Sequence, residues 1–184
     1  MKHIFKKTIL LAFAATVLSS QVVRADSAEE LDRKGRVALW DLYKKNPKAL
    51  AIAKKAYAVL VFPSVVKAGF IFGAQRGDGV LVNNQGTVGY YNTTAVSYGL
   101  QAGVQEFGYA LFFMNPAALS YLDKSGGWEV GTGPTLVVVD SGYSKSLSTT
   151  TLTKDIYAFF FDQKGLMGGL GFQGTKISPY TPSQ

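Results

Sequence analysis

The chain has no cysteine, and its only histidine is His3, close to the start of 184 residues. No cysteine means no disulfide, no thiolate nucleophile and no sulfur ligand for a metal. With no histidine beyond position 3, the rest of the chain lacks the usual neutral-pH general base and the usual nitrogen ligand. Acidic residues are also scarce, 12 against 19 Lys and Arg. No apolar run reaches the roughly 20 residues that a membrane-spanning helix requires. These shortages move the reading from enzyme toward binding or structural protein, with no cofactor and no metal expected.

The longest apolar run, Ile9 to Leu18, follows Lys2, Lys6 and Lys7 and precedes Val23-Arg24-Ala25. A basic start, a short apolar stretch and small or apolar residues at −3 and −1 of a cut before Asp26 are the layout of a secretory signal peptide over residues 1–25. The expected location is the periplasm of a bacterial envelope, with His3 removed. Residues 26–184 then form a single domain, with a loose polar tail over 178–184. Residues 26–67 carry nine Lys or Arg against five Asp or Glu, a local charge of +4, while residues 68–184 carry six against seven. One basic end on a near-neutral body excludes a dedicated nucleic-acid binder and fits attraction to an anionic surface.

Helical periodicity predicts a helix over 27–45, capped by Asp26 or Ser27, with Leu31, Ala38, Leu39 and Leu42 on its buried stripe. Asn46-Pro47 ends it and starts a second helix through Ala56, with Pro47 at its first position. Beyond that the texture is that of strands. Ala58 to Phe62 ends at Pro63, and Phe70 to Phe72 and Val80 to Val82 flank Arg76-Gly-Asp-Gly79, whose Asp-Gly pair signals a turn. Asn83 to Gly86 is another turn, leading into a strand through Tyr91. Further strands are expected over 96–105, 107–114, 129–140, 155–162 and 166–177, with one short helix over 116–122. The fold class is α+β: two N-terminal helices packed on a Gly-rich, strongly curved antiparallel sheet, possibly closed like a barrel.

Nearly all of the 20 glycines lie beyond residue 68, many inside apparent strands. They serve either sheet curvature and close packing or the approach of a ligand to the backbone. Gly169-Leu-Gly171-Phe-Gln-Gly174 matches a dinucleotide fingerprint in letters only, because no helix and no acid follow it. Carbohydrate hydrolysis needs two facing carboxylates, for which Asp78, Glu106, Asp123, Glu129, Asp140, Asp155 and Asp162 are available. Glu106 lies in an apolar stretch, as a solvent-facing strand residue or in a tight turn. A catalytic serine would need a lysine partner, and no Ser-x-x-Lys motif is present.

The first helix carries the most concrete candidate site. At 100° per residue, Arg33, Val37, Trp40 and Lys44 fall opposite the apolar stripe, with Arg36 and Tyr43 beside them. A tryptophan among cations suits a membrane interface, where the ring enters the headgroup zone and the cations meet phosphates. Lys45, Lys48, Lys54 and Lys55 add charge nearby. The other reading sandwiches the helix between sheet and second helix, with Trp40 in the core.

Ala68 to Val82, read as Ala-Gly-Phe-Ile-Phe-Gly-Ala-Gln-Arg-Gly-Asp-Gly-Val-Leu-Val, resembles the SYLF domain family. The resemblance takes in the helix Ala49 to Ala56 and the strand Ala58 to Phe62, and continues through Gly99 to Phe113 and Lys164 to Lys176. It implies a non-enzymatic lipid-binding module that acts through a basic, amphipathic N-terminal segment, here Arg33 to Lys55 with Trp40. Fungal members are named for actin binding. The Gly-Pro-x-Gly-Arg stretch of eukaryotic members is absent, since Thr-Leu-Val follows Gly133-Pro134, and a secreted protein does not meet actin. The expected partner is therefore an anionic phospholipid surface. A structural or protein-binding role in the envelope is the alternative, and an acid-only hydrolase is the least favoured reading.

Overall fold

The computed structural model describes residues 26–69, 71–98, 103–139, 152–165 and 171–183. The expected signal peptide lies outside the described residues, as do Asp140 and Gly169. Helix α1 spans Ala28–Lys45. Ser27 caps its start by accepting from the Glu30 N–H, and Glu29, Glu30, Lys44 and Lys45 match the helix dipole at the two ends. Asn46 closes α1 and caps α2, Pro47–Ala53, by accepting from the N–H groups of Lys48 and Ala49. The buried stripe of α1 is Leu31, Ala38, Leu39 and Leu42, as expected, with Gly35 added.

Strands β1 (Ala58–Gly69), β2 (Phe72–Asn83), β3 (Gly86–Tyr98) and β4 (Gly103–Phe113) form the centre of one sheet. Helix α3 (Pro116–Leu119) and a 3₁₀ turn, Ser120–Asp123, lead to β5 (Trp128–Glu129) and β6 (Leu136–Val138). The sheet is completed by β7 (Ile156–Gly165) and β8 (Thr175–Pro179), in the order β5-β8-β3-β2-β1-β4-β7-β6. All pairings are antiparallel except β6 with β7, which makes the sheet mixed rather than purely antiparallel. It is strongly curved into a half-barrel. Both edge strands contribute to a single core with Phe62, Tyr109, Leu111 and Phe113, so that face is the enclosed one. The opposite face packs Val59, Val61, Val80, Phe112 and Phe159 against the buried stripe of α1 and against Ala49 and Ile52 of α2.

Several sequence expectations are corrected. Pro63 does not end β1. The register shifts between Val61 and Ser64 on one side and between Phe62 and Val65 on the other, so the proline sits in a bulge that needs no donor from it. Arg76-Gly-Asp-Gly79 is not a turn but the middle of β2, paired with Val66, Val65 and Ser64 of β1 over Arg76, Gly77 and Asp78. Gly77 and Gly79 leave room for Val65 and Phe62, whose atoms a Cβ at either glycine would meet at 2.7 and 2.5 Å. The curvature-and-packing reading of the glycines therefore holds at these positions. The predicted strand over 96–105 is split between the end of β3 and the start of β4. The end of the chain is not loose from Ser178: Ser178 and Pro179 pair with β3, the Tyr180 N–H donates to the Tyr90 carbonyl, and Ser183 bridges Ser27.

Asp155 ties the start of β7 to its surroundings. It accepts from the Thr135 N–H at 2.8 Å, the Thr135 hydroxyl at 2.7 Å and the Asn115 side-chain amide at 2.9 Å. These bonds, led by the Thr135 hydroxyl, hold its pKa below the ordinary carboxylate value. The stability that Asp155 supplies is present above the unfolded-state value near 4 and is lost as pH falls through the lower folded value. Asp155→Asn is expected to cost about 1 kcal/mol at pH 7 and less in acid, measurable by urea denaturation at the two pH values.

Candidate functional site

The structure resolves the two readings of Trp40. Its side chain is 61% exposed, whereas Trp128 is 1% exposed and sits in the enclosed core. Arg33, Arg36, Val37 and Lys44 are exposed with Trp40 on the face of α1 that points away from the sheet. The Lys44 ammonium lies 4.7 Å from the centre of the Trp40 ring. Tyr43, beside them in the helical projection, turns inward toward Phe112, and burial pushes its hydroxyl pKa up to about 12.

The cations of this face do not all point freely outward. Arg33 pairs with Glu30 at 2.7 Å, Arg36 reaches Asp32 at 4.0 Å, and Lys45 bonds Asp162 of β7 at 2.8 Å. The Arg33 bond is the main reason Glu30 is held below the ordinary carboxylate value. Such exposed pairs are worth little in water and exchange readily for another anion. The bond to Asp162 separates Lys45 from the Trp40 face. Lys54 and Lys55 follow α2 and line an open groove of about 490 Å³ with Tyr57, Asn83 and Asn84. A smaller depression of about 280 Å³ adjoins it, with Val59 and Val82 at its apolar side. Lys48 is half-buried at the start of α2. The predicted residues thus fall into two groups: Arg33, Arg36, Trp40 and Lys44 on α1, and Lys54 and Lys55 at the groove.

Sequence reasoning missed Leu50 and Tyr57, both exposed, and Tyr57 lines the groove with Lys54 and Lys55. The signal available was Tyr57 standing directly after Lys54-Lys55-Ala56.

Among the described residues, the acidic candidates do not assemble a catalytic pair. Glu106 is the solvent-facing strand residue and accepts from the Ser64 hydroxyl at 2.8 Å. Asp155 and Asp162 are engaged as above, and Asp123 and Glu129 are exposed. Among the described residues, no group of three or more His, Cys, Asp or Glu is placed to hold a metal. A groove of about 770 Å³ opens beside β6 between Pro134, Leu136, Val138 and Phe172, and among the described residues Lys154 is the ionisable side chain that lines it.

Asp78 differs from the other acids. Its Oδ1 is buried and has no hydrogen-bond partner among the described residues. Desolvation raises its pKa above the ordinary value, against the nearby charge of Arg76. The sign is opposite to that of Asp155: Asp78 favours the fold below its unfolded-state value, and this is lost as pH rises through the higher folded value. Asp78→Asn is expected to raise the Tm at pH 7 and to lose that advantage below about pH 4, as a pair of melting curves will show.

Residues 94–182 match the family described as Ysc84, Las17-binding protein actin regulator. This span contains the later blocks of the SYLF resemblance and leaves the segment 68–82 outside it. No curated protein matches the chain.

Proposed function

We propose, for a chain whose residues 94–182 belong to the Ysc84 (SYLF) family, a non-enzymatic role as a peripheral binder of anionic phospholipid in the bacterial cell envelope. The observation that carries this reading is the exposure of Trp40 in the middle of a basic helix face. No described helix is long and apolar enough to cross a membrane.

The mechanism has two parts. Arg33, Arg36, Lys44, Lys54 and Lys55 supply electrostatic attraction, at about 1 kcal/mol per cation near an anionic surface. Trp40 supplies insertion. Its exposed portion is roughly 100–150 Å², which gives an upper limit of roughly 2.5–4 kcal/mol if the ring leaves water completely. Together these amount to micromolar binding, reversible and sensitive to salt. The groove beside Lys54 and Lys55, lined also by Asn83 and Asn84, supplies donors suited to a phosphate headgroup. The family description names Las17 and actin, but the basic start and apolar run of residues 1–25 support export, which separates this chain from those partners.

Intrinsic fluorescence tests the reading. Trp128 is sealed in the core, so any vesicle-induced change reports Trp40. Phosphatidylglycerol vesicles are expected to shift the emission to the blue, and phosphatidylcholine vesicles to leave it unchanged at low salt. An emission spectrum indifferent to both would count against the proposal.

A further inference from the structure

The helices cover only part of the outer sheet face. Val80 packs under Gly35 of α1, and Asp78, Arg76, Ala74 and Phe72 follow it on the same face at two-residue steps. Across the strands, register lines up two rows on the part of this face that the described residues leave exposed. The first runs Lys164, Glu106, Val66, Arg76, Thr94 and Lys176 over β7, β4, β1, β2, β3 and β8. The second runs Val104, Ala68, Ala74 and Val96 over β4, β1, β2 and β3. Every residue of both rows is exposed. Val96 is 74% and Val104 62% exposed, and Phe72, one step further out, is 69% exposed.

A solvated sheet face is ordinarily polar at such positions. Here three basic groups and one acid stand in one row, and an apolar row lies roughly 7 Å further along the strands, with Phe72 about 7 Å beyond that. An apolar end backed by a net positive row has the depth profile of a bilayer interface, where apolar groups sit roughly 5–10 Å below cationic ones.

We infer that the exposed end of β1–β4 is a second lipid contact: Phe72, Val96 and Val104 enter the acyl boundary of an anionic bilayer, while Arg76, Lys164 and Lys176 meet its phosphates. This rests on the lipid reading above but places an insertion site on the sheet, independent of Trp40. The absence of cysteine allows it to be tested by single labels. Val96→Cys and Val104→Cys carry an environment-sensitive fluorophore, with Ala117→Cys on α3 as the control. With phosphatidylglycerol vesicles, the labels at 96 and 104 are expected to shift to the blue and to be quenched by nitroxide-bearing lipids, and the label at 117 to stay in water. In the unlabelled protein, Phe72→Asp with Val96→Asp is expected to weaken vesicle binding at least tenfold. If the protein binds vesicles while both sheet labels stay in water, the sheet contact is overturned and the lipid reading stands. Failure of the protein to bind any vesicle overturns both. Labels already shielded without vesicles, whether by residues 1–25 or by a second copy at high concentration, assign this face to that occupant and overturn the proposal.

Discussion

Gly79→Ala is expected to destabilise the protein by about 3 kcal/mol, lowering the Tm by roughly 6–12 °C. A Cβ at position 79 would lie 2.5 and 2.7 Å from two ring carbons of Phe62 and 2.7 Å from the Val61 carbonyl oxygen. The ring is fully buried and packs at a tilt against Tyr109 with centroids 4.7 Å apart, so it has nowhere to retreat. The carbonyl belongs to the β1 ladder and cannot move without breaking it. Gly79 does not have positive φ, which makes the cost one of overlap rather than backbone conformation. Gly89→Ala is the matched control. There the nearest atom is Tyr91 Cε2 at 3.5 Å, ordinary contact distance, and stability is expected to stay within about 0.5 kcal/mol. Thermal or urea melts of the two variants decide the matter.

Trp40→Ala is expected to weaken binding to phosphatidylglycerol vesicles about tenfold, the equivalent of roughly 1.4 kcal/mol, while leaving the melting temperature within about 2 °C. The two halves of that expectation come from one observation. A side chain 61% exposed contributes little packing to the fold, and the same exposure makes its area available to lipid. Lys44→Glu changes the local charge by two and is expected to weaken binding by about 2 kcal/mol at low salt, with the difference shrinking as salt rises. Loss of binding by Trp40→Ala through unfolding would show the ring to be structural.

The helical layer was legible in the sequence because its signals are local. The 100° projection separated Leu31, Ala38, Leu39 and Leu42 from Arg33, Trp40 and Lys44, and Asn46-Pro47 marked the break between the helices. What the projection could not give was whether a second layer lay over Trp40, since that depends on where α2 packs. The sheet was harder to read for a physical reason. Asp78-Gly79 carries a strong turn signal, but the glycines answer to Phe62 and Val65 on a neighbouring strand, a contact with no local trace. Pro63 likewise reads as a stop and acts as a bulge, because the register of both flanking strands shifts there. The uncovered apolar row was hidden by its composition: Val, Ala and Gly in strands look the same whether a layer covers them or not. Its nearest sequence sign was Phe70-Ile-Phe72, an apolar triplet at the point where β1 gives way to β2.

Co-sedimentation of the purified protein with vesicles of increasing phosphatidylglycerol content, in phosphatidylcholine, tests the central claim most directly. The bound fraction at low salt is expected to rise with anionic content, to fall steeply as salt is added, and to be lower at every composition for Trp40→Ala than for the unaltered protein. Equal sedimentation with anionic and neutral vesicles, or none with either, would contradict it.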